Sequence, residues 1–532
     1  MQNRIYITIL FLFVIVTANS QLRISPEGAK LDRTVRLIND LYVDDVDKDK
    51  ITEAGIRGML QELDPHSSYL DKDEVKQMNE PLQGNFDGIG ISFNMLTDTV
   101  YVMEVISGGP SQKVGLMPGD KIIYVNDTLI AGQKMSTQDI MSKLRGKKGT
   151  VAKVKVLRRG VQGLTEFRII RDKIPINSIE ASYIVKENIG YIRLSRFGLH
   201  SLKEFHESLV DLKSKGMESL IVDLTGNGGG ILSTSTDITD EFLDSGKLMV
   251  YTEGRSQPKM TVNSTSKGIF QTGKLVILVD EGSASASEIV SGAVQDWDRG
   301  IVVGRRTFGK GLVQRQLPLT DGTMIRLTVA RYYTPTGRGI QKPYDEGNIE
   351  AYNLDFINRF NHGEMLTADS IQFPDSLKFE TLVNKRTVYG GGGIMPDLFV
   401  PIDTTVVTSL HRQLIAKGVI NRLTIQEVDN SRKELLQKYP NVNAFKKEYA
   451  ISTSIIDRLK ESAKLEEIKW SDNDFEKSQK FIFTQMKALI ARDLYDSSAF
   501  YKVINDVDDI FLKGLEVITD DDTYRKLLNG AS

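Results

Sequence analysis

The period of the apolar positions changes along the chain and divides it into four stretches. Over residues 29–80 apolar side chains recur at helical spacing: Val35, Leu37, Ile38, Leu41 and Tyr42 form one stripe, and Ile56, Met59, Leu60 and Leu63 another, ending at Asp64-Pro65-His66. From Gly84 to about Asp172 the runs become short and alternating. Gly88-Ile89-Gly90-Ile91-Ser92-Phe93, Val100–Val105, Lys121–Val125 and Val151–Leu157 are separated by glycine, proline and Asn-Asp turns. Thr137 is placed to cap a helix over Asp139–Leu144. From 173 to 404 the pattern predicts alternating strands and helices. Leu220–Leu224 and Leu275–Val279 are nearly unbroken apolar runs, as strands buried on both faces require. A helix is expected over Leu202–Lys215 and a longer alternating strand from Met324 to Tyr332, while 344–388 is polar and irregular and reads as a surface insertion. Beyond 404 only 3 of the 44 glycines remain and helical stripes return, which predicts a helical region that packs on the core or mediates assembly.

The stretch 83–172 resembles a PDZ domain. Gly88-Ile89-Gly90-Ile91 stands in the place of the carboxylate-binding loop, and Gly115-Leu116-Met117-Pro118-Gly119-Asp120-Lys121-Ile122 follows at suitable spacing. Backbone N–H groups freed by glycine can cradle a peptide carboxylate while the peptide adds a strand to the sheet edge. Seven Lys and Arg residues lie between Arg145 and Arg159, a run read chiefly as a solvated strand face.

The fold expected is therefore α/β and multi-domain: signal peptide 1–20, helical segment 21–82, inserted PDZ domain 83–172, α/β core 173–404 carrying the 344–388 insertion, and helical region 405–532. At roughly 150 residues each, 532 residues correspond to about 3 to 4 domains. The signal peptide is read from Arg4, the uncharged run Ile5–Ala18, and the small residues Ala18 and Ser20 before Gln21; the run is shorter than the roughly 20 residues a spanning helix needs. The chain is thus expected to be exported, periplasmic or associated with the cell envelope.

Composition narrows the chemistry. With 68 Lys+Arg against 70 Asp+Glu, bulk charge does not hold this protein to nucleic acid. No cysteine means no disulfide, thiolate metal site or cysteine nucleophile, and the 5 histidines are scattered with no HExxH. No metal or cofactor is implied. Three segments carry chemistry instead. Asp280-Glu281-Gly282-Ser283-Ala284-Ser285-Ala286-Ser287-Glu288 joins a buried strand to an amphipathic helix, so hydroxyls lie at a helix N-terminus where N–H groups favour developing negative charge; one of Ser283, Ser285 and Ser287 merely capping that helix is the plain alternative. Lys310 lies between Gly309 and Gly311, with Gln314 four residues on; a lysine there could act as a base if desolvation keeps it neutral. Asn227-Gly228-Gly229-Gly230, at the end of a strand, can turn backbone N–H groups towards an oxyanion. Gly304–Lys310 fits the start of a P-loop, but Gly311 replaces the Ser or Thr that would ligand magnesium, so no nucleotide is expected.

Together these segments resemble the C-terminal processing peptidases, or tail-specific proteases, over roughly residues 30–400. Leu63-Asp64-Pro65-His66-Ser67, Phe308-Gly309-Lys310-Gly311-Leu312-Val313-Gln314, Tyr333-Thr334-Pro335-Thr336-Gly337-Arg338 and Gly393-Ile394-Met395-Pro396-Asp397 match as well. The resemblance implies a serine endopeptidase in which Ser285 is the nucleophile, Lys310 its general base and Gln314 the residue orienting Lys310. It also implies an oxyanion hole from the N–H groups of Gly229 and Ala286, capture of apolar protein C-termini by Gly88, Ile89, Gly90 and Ile91, and a regulatory interest in Arg145. The family usually carries Asn-Pro-Gly-Gly where this chain has Asn227-Gly228-Gly229-Gly230. Homo-oligomers or an adaptor would engage the helical N- and C-terminal regions. The alternative is a catalytically inactive PDZ scaffold that only binds peptides.

Overall fold

The computed structural model describes residues 25–96 and 98–530. The expected signal peptide lies outside the described residues. Among those described, no helix is long and apolar enough to cross a membrane. The chain is mixed α/β, with the helical, PDZ, core and helical regions in the expected order.

The core is a six-stranded sheet. Ile179–Lys186 pairs antiparallel with Ile189–Leu194; Ser219–Asp223, Leu275–Val279, Ile301–Gly304 and Leu398–Phe399 then follow in parallel. All five residues of Leu275–Val279 are buried, as the unbroken apolar run predicts for a central strand covered on both faces. One face packs against Phe205, Leu209 and Leu212 of the helix Ser201–Ser214 and against Val290 and Val294 of the helix Ala286–Asp296. The other face is closed by the last two helices, Asp509–Thr519 and Asp521–Leu528, through Phe511, Val517, Ile518 and Tyr524. The preceding helices, from Ser409–Ala416 to Ser497–Ile504, bury their own apolar clusters. The helical stripes after 404 thus divide between the core and a separate layer. A second, five-stranded sheet holds Ser68–Leu70, Met324–Tyr333, Leu248–Gly254, Gln257–Asn263 and Leu312–Pro318.

The PDZ sheet runs Ile91–Leu96, Thr99–Val105, Lys121–Val125, Val151–Leu157 and Leu164–Ile170, with Thr128–Leu129 paired to the third strand. Its entry and exit, Asn85–Gly88 and Asp172–Pro175, pair antiparallel and form a two-stranded stem. The helix Thr137–Leu144 is capped by Ser136, whose Oγ accepts from Asp139 N, and not by Thr137. Ser136 has the extended backbone a cap requires. The back of the PDZ sheet meets the helix Val419–Lys438: Tyr101 donates to Asp429 Oδ2 (2.7 Å), and Arg159 donates to the Asp429 carbonyl (2.7 Å) and to Asn430 (3.2 Å).

The 344–388 stretch departs from the expected surface insertion. It forms two short helices, Ile349–Asn353 and Asp355–Asn361, and a hairpin of Lys378–Glu380 with Thr387–Tyr389. Tyr352, Arg359 and Met365 are buried. Its polarity masked these few anchoring residues, whose partners lie far away in sequence.

Candidate active site

In open α/β sheets, sites form where the carboxyl ends of the strands meet. Here three adjacent parallel strands deliver three loops side by side: 224–230 after Ser219–Asp223, 280–285 after Leu275–Val279, and 305–311 after Ile301–Gly304. These are the three segments singled out in the sequence.

Ser285 is the N-cap of the helix Ala286–Asp296 with φ 55° and ψ −109°. A non-glycine residue held there stores about 1–3 kcal/mol, so the surroundings must over-determine it. They do. The Ser285 N–H donates to Glu288 Oε2 (2.8 Å), and its carbonyl accepts from the Tyr332 hydroxyl (3.0 Å) and from the N–H groups of Glu288 and Ile289. Ala286 contributes one of the first-turn N–H groups that a helix cannot satisfy internally.

Gly229 lies against this turn with φ +99°; a Cβ there would stand 2.7 Å from the Ala284 carbonyl and 2.9 Å from both Ala286 N and Ser285 Cβ. Backbone meets backbone at a distance only glycine permits. The glycine turn is tied down by Asn227, whose Oδ1 accepts the Gly229 N–H (2.9 Å), whose Nδ2 donates to the Leu194 carbonyl, and whose own carbonyl accepts from Ala284 N and Ser287 Oγ. The Gly229 N–H is therefore engaged in this arrangement. Asp280 holds the same turn from the other side, accepting from the N–H groups of Gly226 and Gly282, while Glu281 pairs with Arg305 (2.6 Å).

Glu288 is the hinge of the site. It is wholly buried, forms no ion pair within 4 Å among the described residues, and accepts four hydrogen bonds: Oε1 from Thr307 Oγ1 (2.6 Å) and Gly309 N (2.8 Å), Oε2 from Ser285 N (2.8 Å) and Lys310 N (2.9 Å). One carboxylate oxygen thus holds the backbones of both Ser285 and Lys310. Burial raises the Glu288 carboxyl, and the donors act against that rise. The Tyr332 hydroxyl repeats the link from the carbonyl side, meeting the oxygens of Ser285 (3.0 Å) and Lys310 (2.6 Å). The sequence signal for Glu288 was present as Ser-x-x-Glu at a helix start; nothing local marks Tyr332.

Lys310 is pushed down to about 8 from 10.5, first by burial and then by the Arg326 cation, against the pull of Glu288 and Asp64. His66 faces it and is pushed down to about 4 by burial and by Lys310, so it is neutral at pH 7. Its Nε2 bonds the Tyr352 hydroxyl (2.9 Å), and its backbone N–H donates to Asp64 Oδ1 (2.8 Å). Gln314 sits just past an irregularity in the Leu312–Pro318 strand, between Val313 and Gln314. Its amide nitrogen donates to the Leu312 carbonyl (3.2 Å) and Thr328 Oγ1 (3.4 Å). Among the described residues no hydrogen bond joins Lys310 Nζ to Ser285 Oγ or to Gln314.

In the PDZ module, Gly88 ends the stem, Ile89 is buried, and Gly90 turns with φ +77° against Pro110 and Ile174. Ile91 opens a strand that, among the described residues, pairs with Thr99–Val105 alone and so forms an edge of the sheet. Arg145 stands beside this loop. Its guanidinium donates to Glu80 Oε2 (2.6 Å) on the helix Lys72–Gln83 and lies 4.4 Å from the centre of the Phe86 ring. The PDZ module and the preceding helix are thereby joined through one residue.

Comparison with known proteins agrees with this architecture. Residues 188–350 match peptidase family S41, 88–167 the PDZ domain, 16–74 the activating protease CtpB N-terminal domain, and 410–496 a family of unknown function. The carboxy-terminal processing protease CtpB of Bacillus subtilis is 34% identical over 334 residues, spanning 62% of this chain and 68% of that protein. The carboxy-terminal-processing protease of Bartonella bacilliformis is 34% identical over 331 residues, spanning 61% of this chain and 75% of that protein. Among solved structures, the photosystem II D1 C-terminal processing protease is 29% identical, covers 59% of this chain and 84% of that one, and has a TM-score of 0.35. A PDZ-bearing serine peptidase is what the family matches and the two curated relatives define. The chain belongs to the carboxy-terminal processing proteases of peptidase family S41.

Proposed function

We propose that this protein cleaves exported proteins near their C-termini with a Ser285/Lys310 dyad. The observation that carries the reading is the pairing of a strained serine at a helix N-terminus with a buried lysine pushed down to about 8, both backbones held by one oxygen of Glu288. Neutral Lys310 takes the Ser285 Oγ proton as the oxygen adds to the scissile carbonyl carbon. The oxyanion is stabilised by the Ala286 N–H and, once it turns from Asn227 Oδ1, by the Gly229 N–H. The intermediate collapses to the acyl-enzyme, and the lysine ammonium passes its proton to the leaving amine. Water, deprotonated by Lys310, then releases the acyl product. The separation of Lys310 from Ser285 and Gln314 here is a resting arrangement, and Gln314 orients the amine when the site closes.

The Gly88–Ile91 loop holds the substrate carboxylate, and the strand Ile91–Leu96 takes its apolar tail by edge pairing. Arg145, joined to Glu80, links PDZ occupancy to the core. The leader at 1–20 directs export. No metal, cofactor, nucleotide or nucleic acid takes part.

The test incubates the protein and its Ser285→Ala form with substrates differing only in their last three residues. Cleavage lost in Ser285→Ala and dependent on the tail is expected. Equal cleavage by both forms rejects the dyad, and indifference to the tail rejects the PDZ role. An inactive peptide-binding scaffold would instead bind tails through Gly88–Ile91 with no cleavage by either form.

A further inference from the structure

Among the supports of the loop carrying Lys310, two come from opposite sides. Glu288 takes the N–H groups of Gly309 and Lys310 from inside the core. The other support comes from residues after 340. Arg359 donates to the carbonyls of Arg306 (2.7 Å) and Thr307 (3.2 Å), and the Lys342 N–H donates to the Gly309 carbonyl (2.9 Å). Arg359 is 4% and Thr307 0% exposed, so without the guanidinium the Thr307 carbonyl would be left buried and unpaired.

Tyr352 forms a wall beside the same loop. Its ring meets Phe308 and His66 edge-on at 6.0 and 5.2 Å, and its hydroxyl bonds His66 Nε2. The Lys342 ammonium is 4.2 Å from the Phe308 ring centre and 4.0 Å from that of Tyr352, and is tied to Asp355 (2.8 Å). The insertion keeps little apolar surface for a core of its own: Leu354, Phe356, Ile357 and Phe360 are exposed, and its helices have only 5 and 7 residues. Helices that short need outside support. Of the residues it buries, Tyr352 and Arg359 grip the 306–310 loop.

We propose that the 344–388 insertion is a working part of the active site, in which Tyr352 and Arg359 act as positioning residues for Lys310. Arg359 sets the height of the loop through two carbonyls. Tyr352, with His66 and Phe308, closes the side of the lysine pocket to water. The insertion is thus a third wall, added to those formed by Glu288 and Tyr332 and by Asp64 and Arg326. This inference rests on Lys310 acting as the base, and its test separates the two claims.

The full chain is labelled with 13C at lysine Cε, and the Lys310 resonance is identified by its loss in Lys310→Ala. Its titration is then followed in the unmodified protein and in Tyr352→Ala, Tyr352→Leu and Tyr352→Phe. The groups facing Lys310 (Arg326, Glu288, Asp64 and His66, with Lys342 beyond His66) are the same in every variant. Admitting water in Tyr352→Ala should raise the midpoint by about 1 unit or more. Cleavage at pH 7 should then fall about tenfold and return near pH 9.5, while Tyr352→Phe keeps the original midpoint. A midpoint unmoved in Tyr352→Ala overturns the inference, and so does cleavage reduced equally at every pH. If the alanine form does not fold, Tyr352→Leu, which keeps apolar volume, is read by the same criteria. If Lys310→Ala still cleaves, the dyad is wrong, yet the midpoints still decide whether Tyr352 shields the lysine.

Discussion

Replacing Lys310 by Met should make this protein more stable while abolishing cleavage. The ordinary lysine value of 10.5 falls to about 8 in the fold. At 1.36 kcal/mol per pH unit, holding Lys310 buried costs about 3 kcal/mol wherever the amine is charged in both states. Between pH 8 and 10.5 the unfolded chain binds more protons at this site than the folded one, so stability attributable to Lys310 rises with pH over that window. Below pH 8 the full penalty applies. Methionine fills similar space without a charge. Lys310→Met is therefore expected to gain up to ~3 kcal/mol at pH 7, and the gain should shrink towards nothing by pH 10.5. The core can be followed through Trp297, which caps the helix Ala286–Asp296 and donates to the Leu248 carbonyl, in a Trp470→Phe background that silences the only other tryptophan. Urea unfolding of both forms from pH 6 to 10.5 gives the difference directly. A methionine variant no more stable than its parent at pH 7, or a gain constant across pH, would refute the argument that burial is what holds the lysine down.

Other consequences follow from the same contacts. Glu288→Gln exchanges an acceptor-only group for one that must aim its NH2 at two backbone or hydroxyl donors; a loss of at least about 3 kcal/mol in core stability, with no cleavage, is expected by urea titration. Gly229→Ala places a Cβ 2.7 Å from a carbonyl at positive φ and should lower kcat at least about 100-fold with little change in tail binding, read by steady-state kinetics and peptide titration. Asp429→Ala removes the acceptor of the Tyr101 hydroxyl and should speed protease nicking at the PDZ stem, leaving the Trp297 transition in place. Arg145→Ala breaks the link to Glu80; tails should still bind, while their identity no longer alters the cleavage rate.

The candidate site's local geometry was legible where local sequence and fold coincide. Small residues between the apolar run Leu275–Val279 and an amphipathic helix can mean little else than a strand turning into a helix, and Ser285 stands at that turn. Gly309 and Gly311 mark close approach, and each does lie against backbone or Cβ atoms of Gln341 to Gly393. Legibility stopped where one residue acts across a long separation. Tyr332 and Arg359 look ordinary in sequence, because their roles are set by carbonyls brought near only by the completed sheets. Helical period in the C-terminal region announced buried stripes but not their partners, since Leu489 and Phe511 have the same pattern whether they face another helix or a sheet. Gln314 shows a third limit. Counting in fours puts it level with Lys310, and the register shift between Val313 and Gln314 turns the strand at that step.

The last two helices also set the order in which the molecule can be finished. The central strands need Phe511, Val517 and Tyr524 to cover their second face, and the Tyr524 hydroxyl bonds the N–H and carbonyl of Leu275. Those residues leave the ribosome long after Ser285 and Lys310. Until they arrive, Tyr191, Val276 and Leu278 have water on one side, and the sheet that aligns the three loops is half built. Alignment of the three loops therefore waits for the helices Asp509–Thr519 and Asp521–Leu528. A nascent chain that has already made Ser285 and Lys310 thus still lacks the packing that aligns their loops.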